Sequence, residues 1–497
     1  MHRTATSANE GGIFPGGFGP HIAFAMREHL LRLAAHLILL TMNKPLPTLL
    51  AILASLAPLM AQQPQPATPP GGFKSIVEKI DLKDGDTLVF CGDSITHQCL
   101  YTQYVEDFFF TRFPKLHVRF HNAGVGGDRA QDALLRFDDD IASFKPKYVT
   151  ILLGMNDGSY RDFDKATFDT YQAGMTTLLD KIAELGATAV PMTPTMFDSR
   201  AKKLRNDNAE PRNTYYNGVL ALYGAWLREQ ALNRGLGYVD MWSPLDNLTL
   251  EQRRTNPNFT MIEDGVHPGH AGQTVMAVAI VHDMFPQHGP VSAIMLNGDR
   301  DPAKAATALN GTVSDLSVTP EKISFTFLAD SLPWVLPPEA AEGVKLTQFG
   351  HEFSNEKLTV HTVPPGSYEL KIDGQSVGTY TNAQLESGVE LEANEKTPQY
   401  QQALKVAMLN KERNEKAVHP LRDLWGARKG KRHSDERFIT DHPDDPSTPE
   451  KKAALEKWLA DFNATVAKLN DDVKKYDAQI YQANQPVARK YELARVP

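Results

Sequence analysis

Between about residues 75 and 286, short apolar runs alternate with longer amphipathic stretches. The runs at 87–91, 117–121, 148–153, 187–192 and 238–241 have the length and composition of buried strands. The stretches at 101–113, 129–144, 168–185, 215–234 and 270–285 space their apolar residues as one face of a helix does. This alternation predicts a parallel sheet covered on both faces, because each parallel connection needs a crossover. Right-handed crossovers make it a three-layer, doubly wound α/β sandwich, spanning residues 73–288. Ligands in such folds sit beyond the carboxyl ends of the strands.

The pattern then changes. Residues 289–397 carry short strand-like runs, at 322–327, 357–363, 367–372 and 376–380, broken by Pro and Gly. Asp373-Gly374 between the last two is a hairpin signal. A small β-rich accessory domain is expected there. Residues 398–497 read as helical. Leu455, Leu459, Phe462, Val466, Leu469, Val473, Tyr476 and Ile480 alternate four and three apart, a seam of coiled-coil type. Its partner is expected to be the helix around 401–409, giving a C-terminal helical hairpin, or else a second subunit. Thr448-Pro449-Glu450 reads as the helix start, with Thr448 as cap. The basic run Arg428-Lys429-Gly430-Lys431-Arg432-His433 lacks aromatic interleaving and is expected to be a solvated loop.

Residues 1–72 are expected to be a targeting segment and linker. From Met42 the chain has a short basic start, an apolar stretch at 46–59 and a small residue, Ala61, at a plausible cut site. Residues 42–61 therefore read as a signal peptide, with translation starting at Met42. The protein is expected to be secreted or periplasmic, meeting a membrane only during export. The rival is an anchor at 30–42, but Arg32 and His36 interrupt it.

Composition narrows the classes. The length, 497 residues, calls for two or three domains. A formal charge of −8 argues against a nucleic-acid partner. Two cysteines, Cys91 and Cys99, exclude a disulfide scaffold and a cysteine zinc cluster. Both read as small apolar fillers, Cys99 within the helix after the first strand.

Three short segments carry candidate chemistry. Gly92-Asp93-Ser94 follows the first strand, Gly154-Met155-Asn156-Asp157 follows the third, and Asp264-Gly265-Val266-His267-Pro268 precedes a helix. A serine at a strand-to-helix turn is exposed on a rigid support beside free N–H groups. It still needs a base. Three residues apart in a turn, Asp264 can orient His267, which can take the serine proton. Asn156 offers a side-chain amide, and Gly127, within Gly126-Gly127-Asp128, an unshielded backbone N–H for an oxyanion. Asp93, Asp128 and Asp157 flank these groups and are assigned supporting roles. Alone, each segment reads as a capped turn; together they converge on one strand-end crevice. The glycines lack the G-x-G-x-x-G form and an acidic ribose partner that a dinucleotide site needs.

Taken together, the segments resemble the SGNH (GDSL-type) hydrolase family. Ser94 matches its first block, Gly127 its second, Asn156 its third, and Asp264 with His267 its last, all within roughly 85–286. The resemblance implies a flavodoxin-like sheet and ester hydrolysis without metal or cofactor. It also implies oxyanion donors from the Ser94 and Gly127 amides and Asn156. The stretch from Gly366 through Pro398 is similar to C-terminal extensions on some secreted bacterial members. The expected activity is a serine esterase removing acetyl groups from a carbohydrate, with a small-molecule or polysaccharide ester as substrate. Alternatives are a lysophospholipid or short-chain acyl esterase, and a non-catalytic binding protein on a hydrolase scaffold.

Overall fold

Four parallel strands set the frame. The computed structural model describes residues 77, 79–204, 215–285, 289–297, 305–319 and 321–497. The expected signal peptide and the Met42 start lie outside them. Strands β1 (Thr87–Gly92), β2 (Arg119–Gly124), β3 (Tyr148–Leu152) and β4 (Thr188–Pro191) pair in the order β2-β1-β3-β4. Every residue of β1 and β3 is buried, as strands covered on both faces must be. The expected fifth strand at 238–241 is reduced to one parallel bridge, Val239 to Met192.

The order reverses at β1, so right-handed crossovers send successive helices to opposite faces. Helix α1 (Leu100–Arg112) packs on α5 (His270–Met284), and α2 (Ala130–Leu135) on α3 (Lys165–Glu184). Helix α4 (Tyr216–Arg234) leads back toward β4. The expected three-layer α/β sandwich is therefore present. Two local expectations change. Cys99 is not helical: its φ of 61° breaks the chain between the turn Ser94–His97 and α1. Both cysteines are free and buried. The stretch 129–144 is not one helix but three short ones, because Arg136 leaves helical geometry and turns its guanidinium inward.

The β-rich part forms two sheets around its own core. Strands β5 (Ser292–Asn297), β6 (Ala306–Leu309), β9 (Glu356–His361) and β12 (Val389–Glu390) pair as β12-β9-β5-β6. Strands β7 (Gly311–Val318), β8 (Lys322–Ala329), β10 (Ser367–Ile372), β11 (Gln375–Thr381) and β13 (Arg489–Arg495) pair as β11-β10-β13-β8-β7. Asp373 and Gly374, both at positive φ, make the β10–β11 turn. The last strand of the chain thus sits in the middle of this sheet, so the helices are inserted into the β-rich part. Within 331–353 the chain leaves the sheets instead. Trp334, Phe349 and Phe353 join the core of the α/β sandwich, and Trp334 Nε1 donates to Tyr104 O at 3.0 Å.

The helical hairpin is present. One arm runs through α6 (Pro398–Arg413) and α7 (His419–Lys431); the other is α8 (Thr448–Ala483), which packs on both. A π-turn at Asn414–Val418 separates α6 from α7, where Pro420 lacks the N–H the ladder needs. Helix α8 starts one residue earlier than expected: Thr448 is its first helical residue and Ser447 takes the cap position. The basic run is no solvated loop. It continues α7 into a second π-turn at Arg432–Glu436, and it rests on the α/β sandwich.

Candidate active site

Strand β1 delivers Ser94. Its last residue, Gly92, leads straight into the turn Ser94–His97, and a Cβ there would lie 2.0 Å from Thr96 Oγ1. Only glycine permits so tight a join. Asp93 caps the turn, its Oδ1 accepting the Ile95 amide at 2.9 Å. Burial, with the Asp157 and Asp128 charges nearby, pushes the Asp93 carboxyl up to about 7, against the pull of the Ile95 amide.

The Asp264–His267 segment is a self-contained turn. Asp264 Oδ1 accepts the amides of Val266 and His267 at 2.8 and 2.7 Å. Its Oδ2 lies 2.6 Å from His267 Nδ1. A carboxylate only accepts, so Nδ1 carries the proton and Nε2 is left bare. Nε2 lies 2.7 Å from Ser94 Oγ. Partial burial works to raise the Asp264 carboxyl, but the two amides and the His267 ring outweigh it and hold it below the ordinary carboxylate range. Serine, imidazole and carboxylate thus form one hydrogen-bonded line.

The oxyanion candidates lie at the same strand ends. Gly127 is exposed and adopts a φ of +70°, and its amide meets no acceptor among the described residues. The Asn156 amide is held from two sides: Nδ2 donates to Asp93 Oδ2 at 3.2 Å and to Asp128 O at 3.1 Å, and Tyr160 donates to Oδ1 at 3.0 Å. Both of its hydrogens are engaged, and both bonds are long. Asp157 does not face the serine. It is buried, and its Oδ1 accepts the Ala130 amide at the start of α2, tying the third block to the second. Burial pushes its carboxyl up to about 6.

Asp128 opens a buried ionic chain. Its Oδ2 takes Arg136 Nε at 2.8 Å, and Arg136 also donates to Ala123 O at 2.7 Å and to Asp140 Oδ2 at 2.7 Å. Arg422 of α7 meets Asp140 through two bonds of 2.8 and 3.0 Å. Lys429 lies 2.9 Å from Asp128 Oδ1. The sequence reading missed Arg136, Tyr160, Arg422 and Lys429. Only Arg136 and Asp140, four apart, left a local signal.

Among the described residues one group could present three ligand atoms to a metal: His97, His419 and Asp423, within 4.8 Å of one another. The Gly126 amide donates to His97 Nδ1 at 3.3 Å, which leaves the proton on Nε2, directed at Asp423 Oδ1 3.1 Å away. That is a hydrogen-bonded pair rather than a free ligand set.

Beside His267 opens a cavity of about 830 Å³, lined by Thr260, Glu263, His270, Glu339 and Glu342 among others. On the other flank a cavity of about 490 Å³ runs from Gly127 past Arg129 and Arg161 to Lys429 and His433. The described residues include no helix long and apolar enough to cross a membrane.

Residues 90–275 match the model of the GDSL-like Lipase/Acylhydrolase family. The chain carries a domain of this family. It is a carboxylic ester hydrolase. The GDSL-like span contains every site residue named above from Asp93 to His267. An acetylxylan esterase from Geobacillus stearothermophilus is 25% identical over 226 residues, covering 41% of this chain and 95% of that protein. A solved gut microbial diltiazem-metabolizing enzyme is 27% identical, with a TM-score of 0.73, and covers 85% of this chain and 100% of its own. That likeness extends well beyond the GDSL-like domain. An uncharacterized lipoprotein, YqeF, of Bacillus subtilis (strain 168) is 50% identical over 38 residues, 8% of this chain and 16% of that protein.

Proposed function

We propose that the protein is an exported serine esterase that removes acetyl groups from carbohydrates, with Ser94 as nucleophile, His267 as base and Asp264 as its orienting carboxylate. The 2.7 Å approach of Ser94 Oγ to His267 Nε2 carries this reading. Ser94 Oγ attacks the ester carbonyl while its proton passes to Nε2. The tetrahedral oxyanion rests on the Ser94 and Gly127 amides and on Asn156, which exchanges one of its long bonds for the new one. Collapse breaks the C–O bond to the sugar, and His267 returns the proton to the departing alcohol oxygen. Water, deprotonated by His267, then releases acetate and regenerates Ser94.

The carboxylates and the hydroxyl among the residues lining the cavity beside His267 favour a sugar over a long acyl chain. Thr260, Glu263, Glu339 and Glu342 are poor company for a lipid tail. The relative named an acetylxylan esterase supports acetyl transfer to water. Export is supported by the layout of residues 42–61 and by the partial relative named a lipoprotein. A p-nitrophenyl ester series tests the acyl group: a sharp optimum at acetate is expected, and activity rising with chain length would sink the acetyl assignment. Acetate release from acetylated xylan tests the carbohydrate.

A further inference from the structure

The oxyanion turn Gly126-Gly127-Asp128 has two consecutive residues with no side chain, so only backbone bonds can aim it. Both backbone groups of Gly126 are held by contacts that end on α7. Its N–H donates to His97 Nδ1 at 3.3 Å, and His97 Nε2 meets Asp423 Oδ1 at 3.1 Å. Asp423 Oδ2 also meets His419 Nδ1 at 3.3 Å. The Gly126 carbonyl faces Lys429 Nζ at 3.4 Å, and the same ammonium lies 2.9 Å from Asp128 Oδ1 and 3.4 Å from Asp132 Oδ2. Asp128 O in turn holds the Asn156 amide. Helix α7 lies beyond residue 275, outside the family span.

We infer that Asp423 and Lys429 are positioning residues of the ester-hydrolysing centre, and that the C-terminal helices thereby set the oxyanion geometry. The inference rests on the reading of Gly127 and Asn156 as oxyanion donors. Between the two clamps lies the Gly127 amide, without an acceptor among the described residues, and its direction follows from where Gly126 and Asp128 are fixed. Asp128 is 1% exposed and Lys429 closes its outer side, so losing the ammonium unbalances a buried carboxylate next to Asn156. Small errors in donor position are costly in a preorganised site. The Asp423 side chain is 63% exposed, so its removal perturbs the aim of His97 more than the stability of the fold.

The test uses the full chain and p-nitrophenyl acetate. Lys429→Met and Asp423→Asn should each lower kcat by about tenfold or more with KM close to that of the parent, Asp423→Asn should also keep the parent Tm, and Lys429→Arg should recover most of the loss. A kcat within twofold of the parent in both Lys429→Met and Asp423→Asn overturns the inference. Should Lys429→Met fail to fold, Asp423→Asn alone decides by the same criterion. Ser94→Ala, assayed beside them, separates the two levels. Lost turnover there with unchanged α7 variants defeats only the positioning role; retained turnover defeats the serine reading and the positioning role with it.

Discussion

Ser94 Oγ and His267 Nε2 meet at 2.7 Å although 173 residues separate them in the chain. The contact joins the end of β1 to a turn that Asp264 builds around itself. Because Asp264 Oδ2 fixes the proton on Nδ1, Asp264→Asn should leave the fold intact yet favour the wrong tautomer. Its kcat should fall by roughly 10²- to 10⁴-fold, and Ser94→Ala should fall to background. Steady-state kinetics with p-nitrophenyl acetate, beside circular dichroism, check both. Parent-like activity in Ser94→Ala is the result that ends the triad.

Asn156 touches both the turn that carries Ser94 and the turn that carries Gly127. Asn156→Ala removes one oxyanion donor and the strut between those turns. It should lower kcat by roughly 10²- to 10³-fold with little change in KM. A rise in KM at constant kcat would instead mark Asn156 as a substrate-binding group.

The α/β sandwich and the serine–histidine–aspartate line were legible in the sequence for local reasons. Strands β1 and β3 are buried on both faces and read as unbroken apolar runs, each ending at a glycine-led segment. Asp264 and His267 are three apart, within reach of a pattern. Arg136 left its four-residue spacing to Asp140 as a signal, but its bonds to Asp128 and Ala123 were hidden because they depend on the helix breaking at that residue. Arg422 and Lys429 were hidden by distance: their bonds to Asp140 and Asp128 span 282 and 301 residues. A charged run has the same composition on a solvated loop as over buried carboxylates. Only the fold decides which it is.

Glu356 stores a pH dependence in β9. Burial, with Glu392 nearby, pushes its carboxyl from an ordinary 4.5 up to about 8, against Gln399 and Arg112. The folded chain therefore keeps the proton over a window in which the unfolded chain has lost it. From this group, stability falls as pH rises from about 4.5 to about 8 and levels off above that. Glu356→Gln removes the effect. The stability gap between variant and parent should grow toward alkaline pH by up to about 1.4 kcal/mol per pH unit in that window. Urea unfolding at a series of pH values measures it, and parallel curves would refute it.

The inserted helices also hold buried charge that the α/β sandwich cannot keep alone. Arg413 and Glu106 are each 1% exposed and pair at 3.0 Å, and Arg413 Nε lies 2.8 Å from Asp477 of α8. Asn410 and Asn414 donate to Asp107 and Glu106 from the same helical arm. Removing one partner of a buried ion pair strands the other, which costs about 3–5 kcal/mol. Arg413→Met should therefore destabilise the chain by about that amount. The double change Arg413→Met with Glu106→Gln should recover part of the loss, because Glu106 is then no longer a carboxylate stripped of its partner. Chemical denaturation of the two variants decides the point. Equal losses in both would mean that Arg413 contributes through packing of its stem rather than through its charge.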